Sequence, residues 1–88
     1  MNVVAVSSFN KDLSRIKHKS LATKVEKVIK KIENCTTISL VPGIKKLSGS
    51  SNAYRIRIGD YRLGFFLVNN NVFLTIFAHR KEIYRKFP

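Results

Sequence analysis

The sequence predicts an α+β domain in which two N-terminal helices pack on one face of a small, mainly antiparallel sheet, in the order β-α-α-β-β-β. Three observations carry this expectation. Apolar residues recur at helical spacing between Phe9 and Ile32, and apolar and cationic residues alternate from Tyr54 to Phe66. Turn-forming residues, Gly59-Asp60 and Asn69-Asn70-Asn71, divide the second half of the chain. With 88 residues, of which 44% are hydrophobic, the chain has the size of one domain, residues 1–88, and the apolar content for one core.

Val3-Val4-Ala5-Val6 is a short β-prone run, and Ser7-Ser8 are suited to cap a helix. Phe9, Leu13 and Ile16 fall at i, i+4 and i+7 of a short amphipathic helix, with Lys17-His18-Lys19 as its polar end. Ser20 is the expected cap of a second helix, whose apolar stripe is Leu21, Val25, Val28, Ile29 and Ile32. Its other face carries Lys24, Lys27, Lys30 and Lys31, relieved by Glu26 and Glu33, and reads as a solvated surface. Asn34 to Thr37 end this helix, and a loop runs through Pro42-Gly43. Ile44 to Leu47 is a short strand or an extended lead-in, followed by the loop Ser48 to Asn52.

A two-residue turn at Gly59-Asp60 pairs Ile58 with Tyr61, Arg57 with Arg62, Ile56 with Leu63 and Arg55 with Gly64. Side chains alternate between the faces of a strand. Tyr54, Ile56, Ile58, Tyr61, Leu63 and Phe65 therefore form a core face, and Arg55, Arg57 and Arg62 gather on the other beside Gly64. Like charges directly across a strand pair are destabilising by tenths to about 1 kcal/mol, so stacking Arg57 on Arg62 points to a polyanion on that face. The competing explanation is a solvated face of a basic protein. A second turn at Asn70-Asn71 pairs Leu67 with Leu74, Phe65 with Ile76 and Leu63 with Ala78 on the core face. That register sets Gly64 against Phe77 and Arg62 against His79 on the cationic face, with Phe66, Phe73 and Phe77 on it or beside it.

The formal net charge is +12, from 17 Lys and Arg against 5 Asp and Glu, which points to nucleic acid, a membrane surface or an acidic partner. No apolar run approaches the roughly 18–20 residues needed to span a bilayer. Met1 to Ser8 lacks the pattern of a secretory leader. A single cysteine, Cys35, forms no internal disulfide and fits a cytoplasmic location; Asn34 and Thr36 beside it offer no activating group. Two histidines, one cysteine and five scattered carboxylates show no metal-ligand spacing, and nothing suggests a cofactor. His18, between two lysines, reads as structural or solvent-facing, and Tyr54 and Tyr61 as core packing.

Arg55, Arg57, Arg62 and His79 thus share one face, with Arg80 just beyond the strand end and Tyr84 four residues later, near enough to return over the patch if the tail turns. This inventory suits cleavage of an RNA phosphodiester by its own 2′-hydroxyl. That reaction needs a base for the hydroxyl, an acid for the departing 5′-oxygen, and cations for the charge developing at phosphorus. Arginine grips phosphate oxygens with two donors and stays charged. His79 has the intrinsic pKa to exchange a proton near neutrality, and Tyr84 could do so if surrounding positive charge lowered its pKa. The alternatives are a packed histidine at a strand end and, for the phenylalanines, contact with the tail or a partner rather than stacked bases.

Lys46-Leu47-Ser48-Gly49, then Tyr54-Arg55-Ile56-Arg57-Ile58-Gly59-Asp60-Tyr61-Arg62, then His79-Arg80-Lys81-Glu82-Ile83-Tyr84 resemble the RelE/ParE superfamily of bacterial toxins, most closely its RelE-like branch. The likeness runs over nearly the whole chain. It implies endonucleolytic, metal-independent cleavage of mRNA in the ribosomal A site, leaving a 2′,3′-cyclic phosphate, and inhibition by a cognate antitoxin. On this reading the net charge of +12 would help the protein reach ribosomal RNA. By motif, the basic pair falls on Arg55 and Arg57, the Tyr-Arg arginine on Arg62, the arginine of the final motif on Arg80 and the functional tyrosine on Tyr84. The candidate catalytic residues are therefore Arg62, Arg80, Tyr84 and His79, with Arg55, Arg57 and Lys81 binding phosphate. Some RelE-like enzymes carry lysines where this chain has Arg55 and Arg57, and a lysine there has been considered as the base. Arginine stays protonated, which leaves His79 or Tyr84 for that role here. A ParE-like toxin that inhibits DNA gyrase without cleaving RNA, and a basic RNA-binding module without activity, are the competing functions.

Overall fold

The computed structural model describes residues 1–88. Strand β1 (Asn2–Ala5) leads into helices α1 (Ser7–Ser14) and α2 (Lys19–Asn34). After a 3₁₀ turn at Ile38–Leu40 come β2 (Ile44–Lys46), β3 (Ala53–Ile58), β4 (Tyr61–Val68) and β5 (Asn71–His79), and the chain ends in the short helix α3 (Ile83–Lys86). The five strands form one sheet in the order β1-β5-β4-β3-β2, antiparallel except where β1 joins β5. The expected α+β class is observed, with the undecided segment at Ile44 resolved as an edge strand and α3 as an addition.

Both helices start earlier than their serines suggested. Val6 occupies the N-cap of α1 and His18 that of α2, and neither makes a side-chain capping bond. The Ala22 amide bonds the His18 carbonyl at 3.1 Å, which extends α2 back past Ser20. The hydroxyl of Ser8 donates instead to the Thr75 carbonyl at 2.7 Å, serving the sheet rather than the helix.

The apolar stripes of α1 and α2 bring Phe9, Val25 and Ile32 onto Ile56, Ile58, Leu63, Phe65, Val72, Leu74 and Phe77, forming the main core. Two stacked aromatic pairs, Tyr54 on Phe65 at 5.3 Å and Tyr61 on Phe77 at 5.1 Å, lie on this side. The first hairpin has the expected register from Ile58↔Tyr61 to Arg55↔Gly64. Gly59 has φ +60°, the conformation a tight hairpin turn needs at its first central position.

The second hairpin differs from expectation. Its turn is Asn69-Asn70, with Asn69 at φ 56°, so Leu67 faces Val72 and Phe65 faces Leu74. A β-bulge then leaves Thr75 unpaired, and the ladder resumes at Gly64↔Ile76, Leu63↔Phe77, Arg62↔Ala78 and Tyr61↔His79. One extra residue flips every later side chain to the opposite face. Phe77 and His79 consequently lie on the helix side, whereas Ile76 and Ala78 join the arginines, the reverse of the sequence-based assignment.

Leu47, Ala53, Ala78, Ile83 and Phe87 form a second, smaller core on that opposite face, flanked by Phe66 and Ile76. The C-terminal segment supplies its lid: the Phe87 ring lies 5.0 Å from Phe66 and directly over Gly64. A Cβ at Gly64 would stand 2.6 Å from Ile76 Cγ2 and 2.8 Å from Phe87 Cδ2. Gly64→Ala is therefore expected to destabilise the protein by about 1–3 kcal/mol, as overpacking does. Thermal denaturation showing an unchanged Tm would contradict this packing.

The free edge of β5 is closed without a strand. β1 pairs only with Asn71 to Leu74, and beyond it side chains of α1 take over. Ser8 holds the Thr75 carbonyl, and Asp12 Oδ2 accepts from the Phe77 amide at 3.0 Å.

Candidate functional site

Period-two alternation on β3 and β4 puts Arg55, Arg57 and Arg62 on the face away from α1 and α2, with Arg57 directly across from Arg62 and Arg55 across from Gly64. Strand β2 adds a residue that the sequence reading missed: Lys45 faces Arg55 and extends the cationic row to the sheet edge. The signal was the match of Ile44 to Ile56, legible only once Ile44 to Lys46 is known to be a strand.

Arg80 follows β5, and its amide bonds the Asp60 carbonyl at 2.8 Å, which ties the C-terminal segment to the first hairpin turn. The Arg80 and Asp60 side chains are exposed and their closest charged atoms are 4.0 Å apart, so this pair contributes little stability. The segment then folds back through α3, bringing the 61% exposed Tyr84 into electrostatic range of Arg62.

Arg62 is the hub of the cluster. Its Nη1 donates to the Gly59 and Tyr61 carbonyls, each at 2.9 Å, which aims the guanidinium along the turn. Desolvation by burial holds its pKa below the usual arginine value, and the nearby charges of Arg55 and Arg57 lower it further, as does Arg80 more weakly. A Tyr84 phenolate acts in the opposite sense. Because the folded state binds this proton less tightly than the unfolded state, the cost persists at every pH below the folded value. Stability from this group is flat through neutrality and rises only in strongly alkaline solution. A bound anion relieves the same cost at neutral pH. Arg55 points the same way, since its Nε is buried with no hydrogen-bond partner, and buried donors are normally paired.

His79 does not join this cluster. Its ring meets Tyr61 edge-on at 5.5 Å, and its Nδ1 accepts from the Lys81 amide at 3.2 Å. With Asp12, Arg15 and Glu82 it lines a cleft of about 270 Å³ beside the free edge of β5. The Thr75 bulge is the reason, since an unbroken ladder in the expected register would have carried His79 to the arginines. Lys81 is exposed next to Arg80. Phe66 and Phe73 face each other across the strands, and Phe66 packs on Phe87; Phe77 is in the main core. Cys35 is half-buried and donates to the Ile32 carbonyl, and His18 is an exposed helix cap. No three His, Cys, Asp or Glu side chains converge as a metal site requires. No helix is long and apolar enough to cross a membrane.

Fold and site together define a small, strongly basic α+β protein whose sheet is sealed by helices on one face and presents converging guanidinium groups and a phenol on the other. No protein-family model matches the chain. A curated protein of Methanocaldococcus jannaschii named Toxin RelE3 is 33% identical over 89 residues, spanning 100% of both chains, and on that likeness the protein belongs to the RelE family of toxins. A chain of the RelB–RelE antitoxin–toxin complex from Methanococcus jannaschii superposes with a TM-score of 0.82 at 30% identity, covering 97% of this chain and 99% of that one. A chain of the RelE–RelB complex from Pyrococcus horikoshii OT3 shares the fold alone, with a TM-score of 0.75 at 19% identity over 93% and 97% of the two chains.

Proposed function

We propose that this protein is the toxin of a type II toxin–antitoxin pair and cleaves mRNA in the ribosomal A site. The observation that carries the reading is the convergence of Arg55, Arg57, Arg80 and Tyr84 around Arg62 on the sheet face away from α1 and α2. In the reaction, the 2′-oxygen of the nucleotide before the cut attacks phosphorus, and the 5′-oxygen of the next nucleotide leaves. The products are a 2′,3′-cyclic phosphate and a 5′-hydroxyl end. Arg62 and Arg80 neutralise the non-bridging oxygens as charge builds on them, and Arg55, Arg57 and Lys81 hold the flanking backbone. Tyr84 is the titratable side chain that joins the arginines, and it transfers a proton at the reacting oxygens. The positive charge of the cluster is supplied by guanidinium groups, so the reading includes no metal.

The net charge of +12 favours approach to ribosomal RNA in the cytoplasm. RelB–RelE complexes among the structural neighbours support an antitoxin as the protein partner. An acidic or amphipathic antitoxin segment that covers or distorts the arginine face would block RNA and relieve the repulsion among its cations. Lys45→Ala is expected to weaken binding of a short single-stranded RNA uniformly across sequences. It should reduce the slope of log K against log salt by about 0.7, one phosphate contact. An unchanged slope in a titration series would remove Lys45 from the interface.

The deciding experiment is cleavage of a defined mRNA by purified protein with and without programmed ribosomes, mapped by primer extension. Cuts confined to A-site codons in the ribosomal reaction are the expected result. No cuts in either reaction would reject the assignment and turn attention to gyrase.

A further inference from the structure

We infer that Phe87 positions Tyr84, by seating its ring in the notch that Gly64 leaves on the arginine face; the inference rests on the role proposed for Tyr84. Tyr84 itself is 61% exposed, whereas the residues that bracket it, Ile83 and Phe87, are 0% and 3% exposed. The Phe87 amide donates to the Ile83 carbonyl at 2.8 Å and closes the turn that carries Tyr84. A helix of four residues does not persist in water without tertiary contacts. Its placement therefore comes from what its two buried ends touch. The Phe87 ring occupies the space in which any other residue at position 64 would place its Cβ, 2.8 Å from Cδ2 and 2.9 Å from Cε2. Phe66 meets the same ring at 56°.

Gly64 lies two residues after Arg62 and on the same face of β4, so the strand sets the distance from Arg62 to the notch. The turn of α3 sets the distance from the notch to Tyr84. Phenol and guanidinium are thus held to one frame, with Phe87 as the anchor that ties α3 to the Arg62 strand. A displacement of about 1 Å at a reacting group can cost about 100-fold in rate.

The test is a cycle of Phe87→Ala, Tyr84→Phe and the double variant, with Phe87→Leu as the conservative replacement. Single-turnover cleavage of ribosome-bound mRNA gives the rate at saturation and the half-saturating concentration. Hydrogen exchange in the peptide spanning residues 80–88 reports how tightly the segment is held. The expected result for Phe87→Ala is faster exchange in that peptide and a saturating rate about 10–100-fold lower, with little change in half-saturation. Phe87→Leu should recover most of the rate, and Phe87→Ala should cost nothing further once Tyr84→Phe is present. A full additional loss in the double variant would overturn the inference and leave the role of Tyr84 standing. An unchanged rate for Tyr84→Phe alone would reject that role, and the positioning role with it. Should Phe87→Ala not fold, the same cycle with Phe87→Leu decides, the expectation being a smaller loss that likewise vanishes beside Tyr84→Phe.

Discussion

Arg62→Ala is expected to lower the cleavage rate on programmed ribosomes by about 100–1,000-fold, the cost of removing one preorganised electrostatic donor. The same substitution loses two hydrogen bonds, to the Gly59 and Tyr61 carbonyls, a loss of at most about 1–3 kcal/mol of stability, offset in part by relief of the desolvation of Arg62 and its repulsion by Arg55 and Arg57. The two effects separate by magnitude. A small domain stable by about 5 kcal/mol or more remains almost wholly folded after a loss of that size. A rate deficit of two to three orders of magnitude must therefore arise at the phosphate. Arg62→Lys retains charge without the planar pair of donors and should recover only part of the rate. Wild-type cleavage by a folded Arg62→Ala protein would remove this arginine from the chemistry.

Tyr84→Phe has the other large expected effect, a loss of about 100–10,000-fold in the same assay from deletion of one proton-transfer group. Here stability should not follow. Tyr84 is 61% exposed and the ring is retained, so the Tm should stay close to wild type. Rate and stability are thus expected to diverge most at this position. Full activity in Tyr84→Phe would require a different proton carrier, and the structure offers none among the residues clustered around Arg62.

The two hairpins show why part of this site was legible in the sequence and part was not. Gly59-Asp60 admits essentially one turn, and strict alternation on both sides then places Arg55, Arg57 and Arg62 together. Three consecutive asparagines at 69–71 admit several turns of equal merit. Nothing in Leu74-Thr75-Ile76-Phe77 marks the bulge, because Ile76 and Phe77 are both apolar and either could face the core. Both faces of the sheet also carry apolar clusters, so hydrophobicity could not arbitrate. His79 went to the wrong side for that reason. Tyr84 could be brought near the arginines by chain length alone. The anchor that holds it there could not be read, since the space above Gly64 exists only when β4, β5 and the tail are assembled.

The open side of β5 bears on how the chain avoids pairing with a second copy of itself. An uncovered strand edge is a template for another chain's strand, and proteins commonly guard against it with short strands, bulges or charge. Here the pairing with β1 ends at Leu74, and two side chains of α1 occupy the next carbonyl and amide that an incoming strand would use. Asp12 is one of only 5 acidic residues in the chain. Its carboxylate is spent on guarding a backbone amide rather than on balancing charge, and it places a negative group where an incoming strand would have to pair.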